Sequence, residues 1–234
     1  MGELEPARVQ RHAVVLREGG ACRVAHMVRS AGKGRVVGVD LSFQTLRAAA
    51  AHNPDPVVSG DNMHLPIRSD VADLVISNGV IMVTPDARAS FGELARVTRP
   101  GGTLVVSVYD KRSWYYPVYR YGGAAVRALR RVIGDRGLKV TVFPFFHLGI
   151  LALMTVVRRR PFWIPIDIGW NLFHDQFTTP HCTFHTTEEV AAWAREEGLI
   201  SEDHVREAAN QLITFRLRKP LAGSREATRR NLSG

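Results

Sequence analysis

The chain has 234 residues, 45% of them hydrophobic and 23% charged, enough to bury a full core without disulfide staples or a structural metal. Its two cysteines, Cys22 and Cys182, exclude a disulfide framework and a four-thiolate zinc site. The net charge of +9 is concentrated in one place: residues 111–160 hold eleven Lys or Arg against one acid, Asp135, and the rest of the chain is nearly neutral.

Residues 1–11 lack the apolar core of a secretory signal, which points to a cytoplasmic protein. From 13 to 107, short apolar runs alternate with helix-like stretches. Strands are expected at 14–16, at 35–40 (RVVGVD), at 57–59, at 72–77 (ADLVIS) and at 103–108 (TLVVSV). Helices are expected at 23–31, at 43–52 behind Ser42 as cap, and at 87–98, with a turn at 99–102 (RPGG). Strands alternating with helices imply a doubly wound, mostly parallel sheet covered on both faces. Such sheets bind ligands beyond the carboxyl ends of their strands.

After Tyr109 the pattern changes. Residues 114–133 read as a helix, with Arg120, Arg127 and Arg131 on the solvated face and Val118, Ala125, Leu129 and Val132 turned inward. Residues 140–157 are apolar throughout, but Pro144, His147 and Gly149 argue against a bilayer span. Two readings of this run compete. It roofs a cleft, or, with Arg158, Arg159 and Arg160 directly behind it, it meets a lipid headgroup layer. Pro144 and Gly149 would interrupt a long surface helix, which favours the roof. Residues 161–180 are aromatic-rich and read as irregular. A helix follows at 186–197, capped by Thr186 or Thr187 and stopped by Gly198, then a strand at 211–218 and a polar tail from Lys219 that is expected to fray.

Three successive strand ends carry residues shaped for a ligand. Asp40 can accept hydrogen bonds from the two hydroxyls of a ribose, although an acid there also serves as a helix cap. Asp61, in Gly60-Asp61-Asn62-Met63, can accept from the exocyclic amine of adenine while Met63 packs on the ring; a simple Asx turn is the plainer alternative. Ser77-Asn78-Gly79 lets a ligand approach the backbone.

These blocks resemble a known family. GVDLS (38–42), GDNMHLPI (60–67), ADLVISNGV (72–80) with TPD (84–86), and ELARVTRPGGTLVVSVYD (93–110) are similar, in order and spacing, to the class I S-adenosylmethionine-dependent methyltransferases, type 11-like subgroup. The later stretch 173–199 (FHDQFTTPHCTFHTTEEVAAWAREEGL) resembles the same subgroup. The resemblance implies a Rossmann-like seven-stranded sheet with an α-helical cap insert between strands 5 and 6. It divides one domain into a cofactor-binding half (13–110), a cap (111–180), a C-terminal helix and strands (181–218) and a tail (219–234). It implies S-adenosylmethionine as cofactor, with Asp40 and Leu41 at the ribose, Asp61 and Asn62 at the adenine edge, Met63 on its face, and Gly19, Gly20 and Asn78 near the methionine end.

The chain departs from the family at the glycine loop, where an acid and Gly-x-Gly-x-Gly are expected. One register puts Leu16 at the acid and Glu18, Gly20 and Cys22 at the glycines; the other makes Glu18 the acid and leaves the loop two residues short. The N-terminus is also shorter than the family's helical lid.

For chemistry, His181 and His185 are candidate general bases and Tyr109 a candidate at the cleft wall. His174, His181 and His185 with Asp175 match no standard metal spacing, so no metal is expected. Methyl transfer to a small-molecule or lipid-like acceptor is the expected function, with a non-catalytic binding subunit and an RNA methyltransferase as alternatives. The basic segment lacks the aromatic platforms that stack bases, which disfavours nucleic acid. The absence of G-x-G-x-x-G after the first strand disfavours a dehydrogenase.

Overall fold

The computed structural model describes residues 12–16, 35–52, 56–207 and 210–221. The strands β1 (His12–Leu16), β2 (Arg35–Asp40), β3 (Val57–Ser59), β4 (Ala72–Asn78) and β5 (Thr98–Tyr109) pair in parallel. Two more, β6 (Ile200–Glu207) and β7 (Leu212–Arg218), pair antiparallel, and β7 is antiparallel to β5. The sheet order is β3-β2-β1-β4-β5-β7-β6, with the strand order reversing on either side of β1. This is the doubly wound α/β arrangement expected from the alternation of apolar runs. The helices are α1 (Phe43–His52), α2 (Ala87–Val97), α3 (Ala124–Thr141), α4 (Phe143–Arg158), α5 (Ile166–Phe177) and α6 (Thr187–Glu196).

The chain divides into two compact units. The sheet unit contains Met1–Ser113 and Thr183–Gly234, and the helical unit is Trp114–Cys182. In the sheet unit, Val75, Leu104, Val106 and Val108 from the strands pack with Phe91 and Leu94 of α2, Val190 and Ala194 of α6, and Ile213, Phe215 and Leu217 of β7. Helices α2 and α6 are both fixed at their starts by caps, the second of them at the expected Thr186. Asp86 accepts the Ala89 N–H at 2.9 Å, and Thr186 and Glu189 form a reciprocal capping box.

Several local expectations give way. The turn at 99–102 lies inside β5, whose pairing skips from Ala72–Thr98 to Leu74–Thr103, so a bulge absorbs Arg99 to Gly102. Strand β6 has no apolar alternation in its sequence ISEDHVRE, and all eight residues are exposed. It is an edge strand whose charges keep other chains from pairing with it, so its sequence gives no burial signal. Lys219, at the start of the expected fraying tail, is instead pinned. Its Nζ donates to the Ala95 and Thr98 carbonyls at 2.8 Å and to Asp70 at 2.7 Å. The aromatic stretch 161–180 contains helix α5, whose Trp170, Phe173 and Phe177 build the core of the helical unit with Leu138, Phe143 and Phe146.

The helix expected at 114–133 faces the other way. It begins with a helical turn and a π-type segment, Val118–Gly123, before α3. One extra residue per π turn rotates everything downstream by about 100°. Val126 and Ile133 therefore pack inward, while Ala125, Leu129 and Val132 are exposed, Val132 at 83%. Arg127 is drawn in: it stacks 4.6 Å over the Tyr119 ring and donates to the Phe177 carbonyl at 3.0 Å. The expected interruption of 140–157 is also absent at Pro144 and Gly149. Pro144 lies in the first turn of α4, where a missing N–H costs nothing, and the helix runs on through Gly149 to Arg158.

Candidate functional site

The carboxyl ends of β2, β3 and β4 present the three predicted groups. Asp40 is buried, and its Oδ1 accepts the Ser42 N–H at 2.7 Å. Its Oδ2 is buried with no hydrogen-bond partner among the described residues. A carboxylate oxygen taken out of water and left unpaired is costly, and a ligand hydroxyl would satisfy it. The Gly60 N–H donates to the Asp40 carbonyl at 3.1 Å and so ties the loop after β3 to the end of β2. A Cβ at Gly60 would sit 2.5 Å from Cδ of Pro66, so only glycine fits there.

Beyond Gly60, Asp61 makes the Asx turn: its Oδ1 accepts the Met63 N–H at 2.9 Å. The second oxygen is 4.0 Å from Nδ1 of the exposed His64 and is left for another donor. The Asn62 Oδ1 and the Ser77 Oγ at the end of β4 are both buried without a hydrogen-bond partner among the described residues. Asn78 beside it is exposed, and Gly79 follows at φ 75°, in the left-handed region that glycine adopts without strain. Leu41 is exposed and Met63 half-buried. Gly19, Gly20, Glu18 and Cys22, like the expected helix at 23–31, lie outside the described residues.

A pair of residues missed by the sequence reading holds this loop. On α2, Glu93 accepts the Leu65 N–H at 2.7 Å, and Arg96 donates to the Leu65 carbonyl at 3.1 Å and the Ile67 carbonyl at 2.9 Å. The two side chains also pair with each other, at 2.6 Å. The Arg96 guanidinium, followed by the Leu65 N–H, holds the Glu93 carboxyl below its ordinary range despite partial burial. In sequence, Glu93 and Arg96 are one i,i+3 pair among many; only the fold brings the loop against them. Arg96→Leu is expected to destabilise the protein by about 1–2 kcal/mol in urea denaturation, because two carbonyls and a carboxylate lose charged donors. Arg96→Lys recovers little of it, since an ammonium does not reproduce the planar fork.

At the end of β5, Tyr109 and His185 come together. The Tyr109 carbonyl accepts the His185 N–H at 2.9 Å, and the Tyr109 ring stacks on Phe184 at 5.4 Å. The His185 ring is enclosed. Nε2 lies 2.9 Å from the Thr183 hydroxyl, Nδ1 lies 3.4 Å from Glu189, and Trp193 packs edge-on at 4.7 Å. Both nitrogens are therefore engaged inside the protein, and Thr183 in turn binds the Met82 carbonyl through its N–H at 2.7 Å. His185 is built to hold the 183–189 segment against the stretch after β4. His181 belongs to the helical unit, where it is exposed.

Burial pushes the His185 pKa down, against the pull of Glu189. The unfolded chain therefore takes up a proton near pH 6.5 that folded His185 refuses until lower pH. Stability is full above about pH 6.5 and falls as the pH drops below it. Comparing melting temperatures at about pH 7.5 and 5.5, the parent is expected to lose more than His185→Gln does. His174, also depressed by burial, adds to the acid-side loss.

With that geometry in place, comparison with known proteins is informative. Residues 18–106 match the family described as a methyltransferase domain. The demethylmenaquinone methyltransferase of Mycolicibacterium paratuberculosis is 40% identical over 96 residues, 41% of each chain. That of Streptomyces griseus is 31% identical over 80 residues, 34% of this chain and 35% of the relative. The chain thus matches about two-fifths of the length of these curated relatives. The crystal structure of an S-adenosylmethionine dependent methyltransferase from Mesorhizobium loti superposes with a TM-score of 0.55 at 16% identity, covering 92% of this chain and 93% of that one. It shares the fold.

The cofactor that the family and fold imply is S-adenosylmethionine. The residues present here fit it: Asp40 Oδ2, Asn62 Oδ1 and Ser77 Oγ are buried without partners among the described residues, at or just beyond the carboxyl ends of β2, β3 and β4, and Asp61 keeps one carboxylate oxygen 4.0 Å from the His64 ring.

Proposed function

We propose that the protein transfers a methyl group from S-adenosylmethionine to a small, apolar acceptor of quinone or lipid-like character. The observation that carries this reading is the unpaired Oδ2 of Asp40, buried at the end of β2. Asp40 accepts the ribose hydroxyls, Asp61 and Asn62 take the adenine edge, Met63 covers its face, and Asn78 with Gly79 leaves backbone room at the methionine end. The cofactor supplies an electrophilic methyl group on a sulfonium. The protein's part is to hold the two reactants in line and keep water away, which suffices for a reactive acceptor. Tyr109 lines that end of the sheet, and His185 positions the segment beside it. The names of the demethylmenaquinone methyltransferase relatives support a quinone acceptor, and the exposed apolar surface of the helical unit suits a greasy one.

Calorimetric titration with S-adenosylmethionine and S-adenosylhomocysteine, followed by transfer of labelled methyl to demethylmenaquinone, tests the proposal. Binding with transfer supports it. In either register the loop at Glu18 to Cys22 departs from the family's three glycines, which favours a second reading, a non-catalytic subunit of the same fold. Absence of binding to both ligands would decide for that reading.

A further inference from the structure

We propose that the outer face of the helical unit docks on an anionic lipid surface. A surface helix of a soluble protein turns its charged residues outward. Helix α4 does the reverse. Its inner face packs Phe143 and Phe146 against Phe173 and Phe177, yet its outer stripe is Phe145, Leu148, Leu153 and Val156, exposed by 60–78%. Phe145, Leu148, the exposed Ala152 and Val156 follow the three-and-four spacing of one helix face, with Leu153 beside them, and no charged residue occurs between Phe143 and Val157. Val132 and Val140 of α3, with Trp163 and Ile166 before and in α5, add further exposed apolar side chains in the same unit. So many large apolar groups in water mark a surface that something covers.

Charge decides what the cover is. Arg158, Arg159 and Arg160 follow the apolar stripe directly, all exposed, and Arg131, Arg136 and Lys139 are exposed on α3. The one acid of residues 111–160, Asp135, is held by Arg130 at 2.6 Å and so offers no counterweight. A second copy of this chain would set like charges against each other. Residues 1–11 and 222–234 are mostly polar, with Met1, Leu4, Val9 and Leu232 as their larger apolar side chains, and the second stretch adds three arginines. Apolar side chains rimmed by arginines, with a tryptophan among them, match the boundary of an anionic bilayer, where each part meets its own solvent. Among the described residues no single helix is long and apolar enough to cross a membrane; α4 passes that test only together with the helical stretch before it, from which it is bent by 43°.

The inference does not rest on methyl transfer. The full chain is sedimented with vesicles of phosphatidylcholine alone and of phosphatidylcholine with phosphatidylglycerol, at low and high salt. Co-sedimentation with the anionic vesicles at low salt is expected, weakening as salt screens the arginines. Replacing Arg158, Arg159 and Arg160 together by Gln should weaken it roughly a hundred-fold at low salt, at about a factor of ten or less per charge. Leu148→Gln with Leu153→Gln should abolish it without lowering the melting temperature, because both side chains are already exposed. S-adenosylhomocysteine titration of the arginine variant should match the parent, which separates this surface from the cofactor site. No co-sedimentation at low salt, or equal binding to neutral vesicles, overturns the proposal. So does a dimer in sedimentation velocity that Leu148→Gln with Leu153→Gln dissolves, because a second copy then covers the face.

Discussion

Replacing Asp40 by alanine is expected to weaken S-adenosylhomocysteine binding by roughly 1.5–3 kcal/mol, about ten- to a hundred-fold, while leaving the ligand-free protein as stable as before or slightly more so. The two effects separate because of how the carboxylate is placed. One oxygen holds the Ser42 N–H at 2.7 Å, and losing that bond costs the fold a modest amount. The other is buried and unpaired, so removing it relieves a desolvation cost that only a ligand repays. Asp40→Asn keeps an acceptor for Ser42 and offers an amide where the second oxygen stood, so its loss of affinity should fall between the two. Calorimetry and thermal denaturation on the same preparations check both halves. If Asp40→Ala binds as tightly as the parent, Asp40 is not a ligand. If it instead unfolds the protein, the carboxylate is a structural cap.

Phe91→Ala should destabilise the protein by about 3–5 kcal/mol through the cavity it leaves. Phe91 has no exposed surface and meets Trp193 of α6 at 5.7 Å, so its ring joins two helices that lie far apart in sequence. For a chain of this length that cost lowers the melting temperature by roughly 6–20 °C. Phe145→Ala is the contrasting case. Its ring is 78% exposed, and truncating it should change stability by less than about 0.5 kcal/mol. Equal losses for the two variants in a thermal scan would mean that Phe145 is covered in the folded protein, and the lipid-facing assignment of α4 would fall with it.

Much of the sheet unit was legible in order along the chain. The runs around Val36, Val75 and Val106 are buried on both faces of a parallel sheet, so they read as continuous apolar strands bounded by turns. The place of Asp40, Asp61 and Asn78 at or just after strand ends was legible because each closes or follows an apolar run that reads as a strand. Strand β6 was not legible: an exposed, charged edge strand has no burial to record in its residues. The inward face of α3 was misplaced because the π-type segment at Val118–Gly123 shifts the helical phase, and no periodicity in the residues marks where an extra one is inserted.

By itself, then, the sequence determined the alternating α/β order, the cap at Thr186, and the acids at the strand ends. Each is a local matter of period, cap or turn chemistry, decided within a few residues. Only the tertiary structure decided that Glu93 and Arg96 clamp the loop after β3, that His185 turns both ring nitrogens to protein partners, and that α4 shows an apolar face to water. Those outcomes depend on which segments distant in the chain come to lie beside one another. A buried partner and an exposed one can carry the same residue type, and packing alone tells them apart.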